Sequence, residues 1–361
     1  MVKRIVVAMS GGVDSSVAAW LLRREGHELI GLFMRHGLDA PEDPMPPAIS
    51  PCTERQGCAS AADAADAQRV AEMLDIPFSA ADFRGEFEHI VDYFVDEYIA
   101  GRTPNPCIVC NTRLKFGSLF EYARSMGAEF VATGHHARII TCDDGPALCR
   151  ASDTAKDQSY ALFGISRERL GKVLFPVGEY RKEQVRAFAA ELGLRVADKP
   201  DSQEICFVPP GEHAEFVRQR RGDCNTAGEI VTTDGAVVGR HDGIERFTIG
   251  QRKGLRIALG EPYYVVRIEP QTRRVVLGRK EDLARMDLTA ARANWLVPPP
   301  DGPWRCAVKI RYRSAAEPAT VELSGPDRFH VRFNQPRYGI APGQAAVCYD
   351  GDRVLGGGWI E

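Results

Sequence analysis

Short apolar runs and amphipathic stretches alternate along the first half of the chain. The β-branched run at 5–8 is typical of a buried parallel strand, and the spacing of Val17, Leu21 and Leu22 directly after it predicts a helix. The alternation continues with strands at 28–34, 78–83 and 129–138 and helices at 61–74, 86–99, 113–126 and 180–192. This order predicts an α/β domain built on a parallel sheet, which we assign to residues 1–208.

The pattern changes after Pro209, where apolar positions alternate and glycines become frequent. Runs at 229–231 and 263–266 predict a small β-rich central domain over residues 209–284. A last group of strand-length runs occupies 307–313, 319–323, 329–333 and 345–349. Their close spacing predicts a small closed β-barrel over residues 285–361.

Composition places the chain among ordinary globular proteins, with 44% hydrophobic and 26% charged residues in a length of 361. The start of the chain has no apolar segment of a secretory signal, and no apolar run is long enough to span a bilayer. We therefore expect a cytoplasmic protein, by default a monomer, whose ten cysteines are mostly reduced. The net charge of −3 gives no general attraction to nucleic acid, so such a partner would need a local basic surface.

Basic residues that could form this surface concentrate in the later part of the chain. They are Arg218, Arg220, Arg221, Arg252, Lys253, Arg256, Arg273, Arg274, Arg279, Lys280, Arg311 and Arg313. Interleaved with tyrosine and phenylalanine, they fit a surface that follows phosphates and stacks on bases. Scattered, solvated arginines are the alternative.

The sequence Ser-Gly-Gly-Val-Asp-Ser-Ser at 10–16 lies between the first strand and the first helix. Such a turn presents backbone N–H groups at the positive end of a helix, and its glycines allow close approach of a ligand. A phosphate chain is the expected guest, although no Gly-Lys-Ser/Thr follows to reach the β- and γ-phosphates. A glycine-rich turn capped by Ser10, without a ligand, is the alternative.

Two thiols stand at Cys-x-x-Cys spacing after the prolines that flank Asn105. The prolines disfavour a helix at that point, and Asn111 is a candidate cap for the next helix, which would place Cys110 at its N-terminus and favour a reactive thiolate. A zinc site formed by Cys52, Cys58, Cys107 and Cys110 is the alternative. Farther along, Cys206 lies in a segment that we expect to be extended, and by itself it is typical of a buried core thiol.

Polar residues follow the strand at 129–138. Gly134 fits close passage of a nucleotide at the end of a strand, whereas the adjacent histidine pair is more typical of a hydrogen-bonded structural feature than of a metal site. A hairpin is expected near 143–145, and residues 156–160 open a helix whose polar donors could hold a phosphate or base, or simply be solvated.

These stretches together resemble a known family. The loop at 10–16 resembles that of PP-loop ATP pyrophosphatases, which transfer adenylate and retain pyrophosphate. Adding Thr-Pro-Asn-Pro at 103–106 with Cys110-Asn111, Thr-Gly-His at 133–135, Lys-Asp-Gln-Ser at 156–159 and Ser-Gln-Glu-Ile-Cys-Phe at 202–207, the set resembles the bacterial tRNA-specific 2-thiouridylase family of the MnmA type. The likeness continues through the motifs at 247–252, 311–313 and 341–344.

The resemblance implies a Rossmann-like PP-loop fold and a role for each matching residue. ATP would contact Ala8, Met9, Ser10, Gly11, Gly12, Val13, Asp14, Ser15, Met34 and Gly134. Cys110 would be the nucleophile and Cys206 the carrier of a persulfide. The target base would meet Asn105, Pro106 and Cys107, and other parts of the tRNA would meet His135, Lys156, Asp157, Gln158, Arg311, Tyr312 and Gln344.

The implied reaction replaces the 2-oxygen of a wobble uridine in a tRNA anticodon stem-loop with sulfur. It would use ATP with Mg²⁺ and sulfur from a cysteine desulfurase or a sulfur-relay protein, and a Cys110–Cys206 disulfide could form transiently. One position departs from the family, because Cys107 stands where many relatives have an aspartate proposed as general base. Either the base comes from elsewhere, or Cys107, Cys110 and Cys206 bind an iron–sulfur cluster.

Two rival functions remain at this stage. A PP-loop synthetase acting on a small molecule would explain the glycine-rich loop but would leave Cys110, Cys206 and the basic β domains without a role. A tRNA-binding protein without catalysis would explain the basic residues but not the phosphate loop.

Overall fold

A computed structural model describes residues 1–36, 60–199, 205–209, 211–222, 225–257 and 259–361. Its contacts divide the chain into two compact units: Met1–Ile90 with Cys107–Phe207, and Val91–Pro106 with Val208–Glu361. These are not the limits of the three predicted domains, which stay predictions. Cys52 and Cys58 of the alternative zinc site, and the part of the 202–207 motif before Ile205, lie outside the described residues.

The first unit is built on a parallel sheet. Its strands are β1 Arg4–Ala8, β2 Glu28–Arg35, β3 Phe78–Asp82, β4 Phe130–Ala132 and β7 Val173–Leu174, while β5 Ala137–Cys142 and β6 Gly145–Arg150 form the expected hairpin. In the order β3-β2-β1-β4-β7, successive strands are added on one side of β1 up to β3 and on the other side from β4 onward, so the strand order reverses between β1 and β4. Ligands of open α/β sheets bind at the carboxyl ends of the strands beside such a reversal.

Helices cover this sheet. They are α1 Val13–Arg24, α2 Ala61–Met73, α3 Arg84–Ile99, α4 Pro106–Val109, α5 Leu119–Ser125 and α6 Lys182–Glu191, with a π-helical segment at Cys110–Ser118 and 3-10 turns at Ser159–Leu162, Arg167–Lys172, Pro176–Glu179 and Arg195–Asp198. Of α3, residues after Ile90 belong to the second unit, as does Pro106 of α4. Val7 of the sheet, Val17 of α1 and Val185 of α6 are fully buried in one apolar cluster. Apolar burial therefore fixes α1 and α6 against the sheet.

The second unit contains a four-stranded sheet and a helix that the sequence pattern did not predict. The elements are α7 His213–Arg221, β8 Gly228–Thr232, β9 Val237–His241, β10 Tyr264–Glu269 and β11 Arg274–Gly278, with 3-10 turns at Ile244–Arg246 and Lys280–Leu283. The strand order is β10-β11-β8-β9. Only Ala214 and Val217 of α7 are buried, so its apolar stripe is too narrow to stand out among neighbouring glycines and charges.

From Ala284 onward the second unit forms a closed six-stranded barrel. Its strands are β12 Ala284–Trp295, β13 Trp304–Lys309, β14 Glu317–Leu323, β15 Phe329–Tyr338, β16 Ala345–Asp350 and β17 Arg353–Ile360. They are paired in the order β12-β15-β14-β13-β16-β17, and β12 also pairs with β17. The first and last strands were not predicted, because register shifts in β12 and three glycines in β17 break their apolar alternation.

None of the helices in the described part of the chain combines the length and apolarity that a bilayer crossing requires.

Candidate nucleotide and thiol site

Two loops meet at the point where the parallel sheet reverses its order. The loop at 9–12 follows β1, and the loop at 133–136 follows β4, which pairs with β1 in the register Val7↔Ala132. A Cβ placed on Gly134 would lie 2.5 Å from the Ser15 amide nitrogen, closer than any real side chain could be. Glycine is therefore required at 134 by the first turn of α1, whether or not a nucleotide is bound.

Hydroxyl groups hold the first loop in shape. The Ser10 amide donates to the Ser15 Oγ at 3.1 Å, and the Ser16 hydroxyl donates to the Gly12 carbonyl at 2.8 Å. The residue that precedes the helix is Gly12, which has no side chain to cap the first N–H groups. The loop is thus ordered by its own serines while the N-terminus of α1 offers donors to an anion.

Lys199 ties this loop to the start of α2. Its ammonium donates to the Gly11 carbonyl at 3.0 Å, to Asp63 at 2.5 Å and to Asp66 at 3.1 Å. Burial lowers the pKa of Lys199, but the two carboxylates outweigh it and raise the pKa above its usual value. Gly11 has φ +71°, and a Cβ there would collide with the Asp63 backbone, so this glycine serves the packing of α2 and not only access for a ligand.

A second lysine neutralises the acidic residue of the loop. The Lys182 ammonium lies 2.7 Å from each carboxylate oxygen of Asp14, and His136 Nε2 lies 3.2 Å from one of them. Burial acts to raise the pKa of Asp14, but hydrogen bonds from His136 and Lys182 prevail, so the pKa is lowered. Asp14 is therefore an anion at neutral pH in the first turn of α1.

The predicted tRNA-contacting residues at 156–158 form part of the support for this site. Asp157 is 7% exposed and accepts hydrogen bonds from the Ala151 amide and from the Ser159 amide and hydroxyl. The Gln158 side-chain oxygen accepts a hydrogen bond from the His136 main-chain N–H at 2.8 Å, and the Gln158 main-chain N–H donates to the His136 carbonyl at 2.8 Å. Lys156 is half-buried. The 3-10 turn that follows is shorter than the helix predicted to begin here.

Two histidines of the first unit are buried in neutral form. His135 is 9% exposed, lies between Phe116 and Phe175 and shares a 2.7 Å hydrogen bond with Thr133, so it is not at the surface as a tRNA contact would be. Burial, followed by the positive charge of Lys115, holds its pKa well below the usual value. The same two causes lower the pKa of His36 to about 4. His36 is 8% exposed, and its Nδ1 has no hydrogen-bond partner among the described residues.

The Cys-x-x-Cys pair lies in a helical run that starts earlier than predicted. The run begins at Pro106, where the fixed φ of proline suits a first helical position. Asn111 is not a cap: it is 3% exposed, and its side-chain NH₂ donates to the Ala161 carbonyl at 3.0 Å. Cys107 consequently occupies the first turn and Cys110 begins the π-helical segment, so the prediction that Cys110 lies at a helix N-terminus was wrong.

Cys206 lies in a turn of the first unit, not in the extended segment that was predicted. The next residue, Phe207, meets Phe87 edge-on at 5.5 Å, and Phe87 stacks on His36 at 4.7 Å. Cys206 is thereby anchored beside the carboxyl end of β2, the strand that carries the buried Met34. Cys110 and Cys206 are half-buried thiols, and Cys107 is an exposed one.

The described residues contain no group of three or more His, Cys, Asp or Glu side chains arranged to hold a metal ion. Cys107, Cys110 and Cys206 are all described, so they are not gathered into a cluster-binding arrangement here. The iron–sulfur hypothesis does not fit this geometry. Of the residues predicted to contact ATP, Ala8, Met9 and Val13 are buried at the end of β1 and the start of α1, and Ser10 is exposed.

Within the second unit, the predicted tRNA residues hold loops in place. The Gln344 side-chain NH₂ donates to the carbonyls of Thr103 and Pro104 at 3.2 and 3.1 Å, just before Asn105 and Pro106. Arg311 donates to the Ile249 carbonyl at 2.7 Å, and the neighbouring Tyr312 is 42% exposed.

Ion pairs reduce the positive potential of the predicted basic surface. Arginines of the predicted set that pair with carboxylates within the second unit are Arg218, Arg220, Arg221, Arg274 and Arg279. The charge of this surface is therefore smaller than a count of arginines indicates.

Comparisons with known proteins agree across the whole chain. A family model described as tRNA methyl transferase HUP domain matches residues 3–210, one described as tRNA methyl transferase PRC-barrel domain matches residues 214–279, and one described as Aminomethyltransferase beta-barrel domain matches residues 285–360. The predicted fold class, a Rossmann-like PP-loop domain followed by a small β-rich domain and a β-barrel, is confirmed.

Relatives named tRNA-specific 2-thiouridylase MnmA are similar over nearly the full length. The protein of Rhodopirellula baltica is 52% identical, with 99% of this chain and 96% of the relative covered. That of Geobacter metallireducens is 47% identical with 99% and 97% covered, and that of Rhodospirillum centenum is 46% identical with 99% and 91% covered. With its glycine-rich loop at the sheet reversal and its thiols at 107, 110 and 206, the chain belongs to the tRNA-specific 2-thiouridylase (MnmA) family.

Proposed function

We propose that this protein is an ATP-dependent tRNA-uridine 2-sulfurtransferase. It adenylates the 2-carbonyl oxygen of the wobble uridine and replaces that oxygen with sulfur, giving 2-thiouridine, AMP and pyrophosphate. The observation that carries the proposal is the loop at 10–16, ordered by its own serines at the N-terminus of α1, in a chain 52% identical to a 2-thiouridylase. The name of that relative supports tRNA as the substrate.

Adenylation addresses the main difficulty of the reaction. The 2-carbonyl of uracil is a poor electrophile because its oxygen leaves badly, whereas AMP is a good leaving group. ATP is expected along the loop at 10–16, with its adenosine near Met34 and Gly134. Mg²⁺ would accompany the phosphates and neutralise charge there, mostly through phosphate oxygens and water. The protein's own contribution is the set of backbone donors and the fixed position of the nucleotide.

Sulfur transfer requires two thiols with different tasks. The terminal sulfur of a persulfide on Cys206 attacks C2 of the adenylated base, AMP leaves, and the base is then joined to Cys206 through a disulfide. The Cys110 thiolate attacks the Cys206 sulfur of that bond, which releases 2-thiouridine and leaves a Cys110–Cys206 disulfide. An external dithiol restores both thiols with two electrons. A cysteine desulfurase or a sulfur-relay protein supplies the next persulfide sulfur.

Recognition of tRNA is assigned to residues at the start of α4 and to an exposed tyrosine of the second unit. The target base would be held by Asn105, Pro106 and Cys107, after it has left its stack in the anticodon loop. Tyr312 offers an exposed ring for stacking or for a phosphate contact. Gln344 supports the loop before Asn105, whereas His135 and Asp157 support loops within the first unit, so we assign to all three a positioning role.

A synthetase that adenylates a small molecule is the second candidate, and the glycine-rich loop alone would suit it. A methyl transfer, named in the description of the matching domains, is a further outcome that the test must separate. Neither requires two cysteines 96 positions apart in sequence, at 110 and 206.

The test is mass spectrometry of nucleosides from unmodified tRNA incubated with the protein, ATP and a persulfide source. We expect the mass of an oxygen-to-sulfur exchange at the wobble uridine, dependent on ATP, and loss of product in Cys110→Ala and in Cys206→Ala. Cys142→Ala, on β5 and also half-buried, is the matched control that keeps activity. Addition of a methyl group instead, or full turnover of a small amide substrate by Cys206→Ala, would refute the proposal.

A further inference from the structure

We infer that Lys182 is a phosphate-binding residue that supplies the cation missing from the loop at 10–16. This inference rests on the proposed use of ATP and assigns a residue of that site which no sequence motif identified. The loop has backbone donors and an acidic residue but no lysine of its own. An ATP polyphosphate bound there would carry several negative charges toward the Asp14 carboxylate, so a cation is needed at this point.

The position of Lys182 matches that need. It is the first residue of α6, and its ammonium lies 2.7 Å from both oxygens of Asp14, the second residue of α1. The Lys182 side chain is 9% exposed, and that of Asp14 is 30% exposed. The ammonium is thus almost buried in the first unit, while the carboxylate is partly exposed to solvent and can meet an anion.

The start of α6 is also fixed, which places the ammonium with little freedom. The Lys182 amide donates to Asp153 Oδ2 at 3.0 Å, and this hydrogen bond is the largest cause of the lowered pKa of Asp153. Val185, one turn farther along, is fully buried in the core of the unit. A fixed ammonium loses little entropy when it binds a phosphate oxygen.

Lys199 contacts the same loop but is suited to another task. Its ammonium bonds to a main-chain carbonyl and to two carboxylates that belong to α2, so it joins the loop to that helix. Lys182 instead faces the residue that would repel a phosphate. When phosphate arrives, its oxygens can share the ammonium with Asp14 through charge-assisted hydrogen bonds.

A double-mutant cycle tests this assignment by calorimetric binding of inorganic pyrophosphate in the presence of EDTA. We expect Lys182→Met to weaken pyrophosphate binding by about tenfold or more, as the loss of a charge-assisted hydrogen bond implies. Asp14→Asn should bind pyrophosphate at least as tightly as the unmodified protein. The double variant should be weaker than Asp14→Asn by a similar factor of about ten. Lys172→Met, an exposed position of the same unit, is the control without effect.

The double-mutant cycle distinguishes direct binding of phosphate by Lys182 from simple neutralisation of the Asp14 charge. If Lys182 only neutralised Asp14, the double variant would bind pyrophosphate as Asp14→Asn does, and the inference would be overturned. Lys182→Arg retains the charge, so it should have a higher thermal midpoint than Lys182→Met and most of the original affinity for pyrophosphate. If Lys182→Arg regained the thermal midpoint but not the affinity for pyrophosphate, the inference would also be overturned. In the full reaction, Lys182→Met should raise KM for ATP more than it changes KM for tRNA. Pyrophosphate binding does not depend on thiolation, so this result stands apart from the test of the reaction itself.

Discussion

Gly134 lies so close to Ser15 that the two backbones leave no room for a Cβ, which would be 2.5 Å from the Ser15 amide nitrogen. We expect Gly134→Ala to move the loop after β4 away from α1 and to lower stability by about 1–3 kcal/mol, as overpacking does. Pyrophosphate and ATP affinity should fall with it, because the donors at the N-terminus of α1 are displaced. Chemical denaturation and calorimetry on the same samples measure both effects.

Gly85→Ala is the matched control for that substitution. A Cβ at Gly85, near the start of α3, meets nothing within 4 Å. We expect unchanged nucleotide affinity and a stability gain of less than about 1 kcal/mol, since alanine is the better helix former. Equal losses of stability and of nucleotide affinity in Gly134→Ala and Gly85→Ala would show that the close contact between Gly134 and Ser15 is not important.

Buried histidines make stability depend on mildly acidic pH. The pKa of His36 is about 4 in the folded chain, against an ordinary 6.5, so the unfolded chain binds the proton first as pH falls. The contribution of neutral His36 to the free energy of unfolding is therefore fully present above pH 6.5. It is lost as the pH falls toward 4, by about 3 kcal/mol for this one residue. His135 acts in the same direction.

Urea denaturation at several pH values between 7.5 and 4.5 measures this decline. His36→Leu should flatten the curve because no proton is taken up at that position in either state. A variant with the same pH dependence as the unmodified protein would show that His36 does not cause it.

Removal of the Gln344 side chain should lower both the stability of the protein and its recognition of tRNA. Gln344→Ala removes two hydrogen bonds to the loop that precedes Asn105, worth about 1–2 kcal/mol together. We expect a lower denaturation midpoint and a lower kcat/KM for tRNA. Gln335→Ala, at an exposed position of β15, should change neither. Weaker tRNA binding at an unchanged midpoint would indicate a direct contact and contradict the positioning role.

A substitution at Cys107 tests the proposed contact of this position with the target base. Because Cys107 lies exposed in the first turn of α4, an aspartate there meets the positive end of a helix and should be tolerated. We expect Cys107→Asp to thiolate tRNA at least as well as the unmodified protein, measured by nucleoside mass spectrometry. Loss of activity together with loss of iron and sulfide from anaerobically purified protein would revive the cluster hypothesis.

The sequence predicted what is local and missed what is distant. The strand, turn and helix around Gly12 are contiguous, so their apolar spacing and glycines were sufficient to predict a phosphate loop. Lys182 and Lys199 are 168 and 188 positions from their partners Asp14 and Gly11, and no motif marks either of them. Asn111 was a candidate cap because asparagine favours such positions, but the Ala161 backbone carbonyl accepts the hydrogen bond of its side chain instead.

The π-helical segment Cys110–Ser118 has a consequence for how this family can vary. A π-type turn holds one more residue than an α-type turn, so deletion of a single residue within it would restore regular spacing. That deletion would also rotate Cys110 by about 100° relative to α5, and the thiol would face another direction without any change in its chemistry. With Cys110 as the proposed nucleophile, the number of residues between Cys110 and α5 is therefore as important as the cysteine itself.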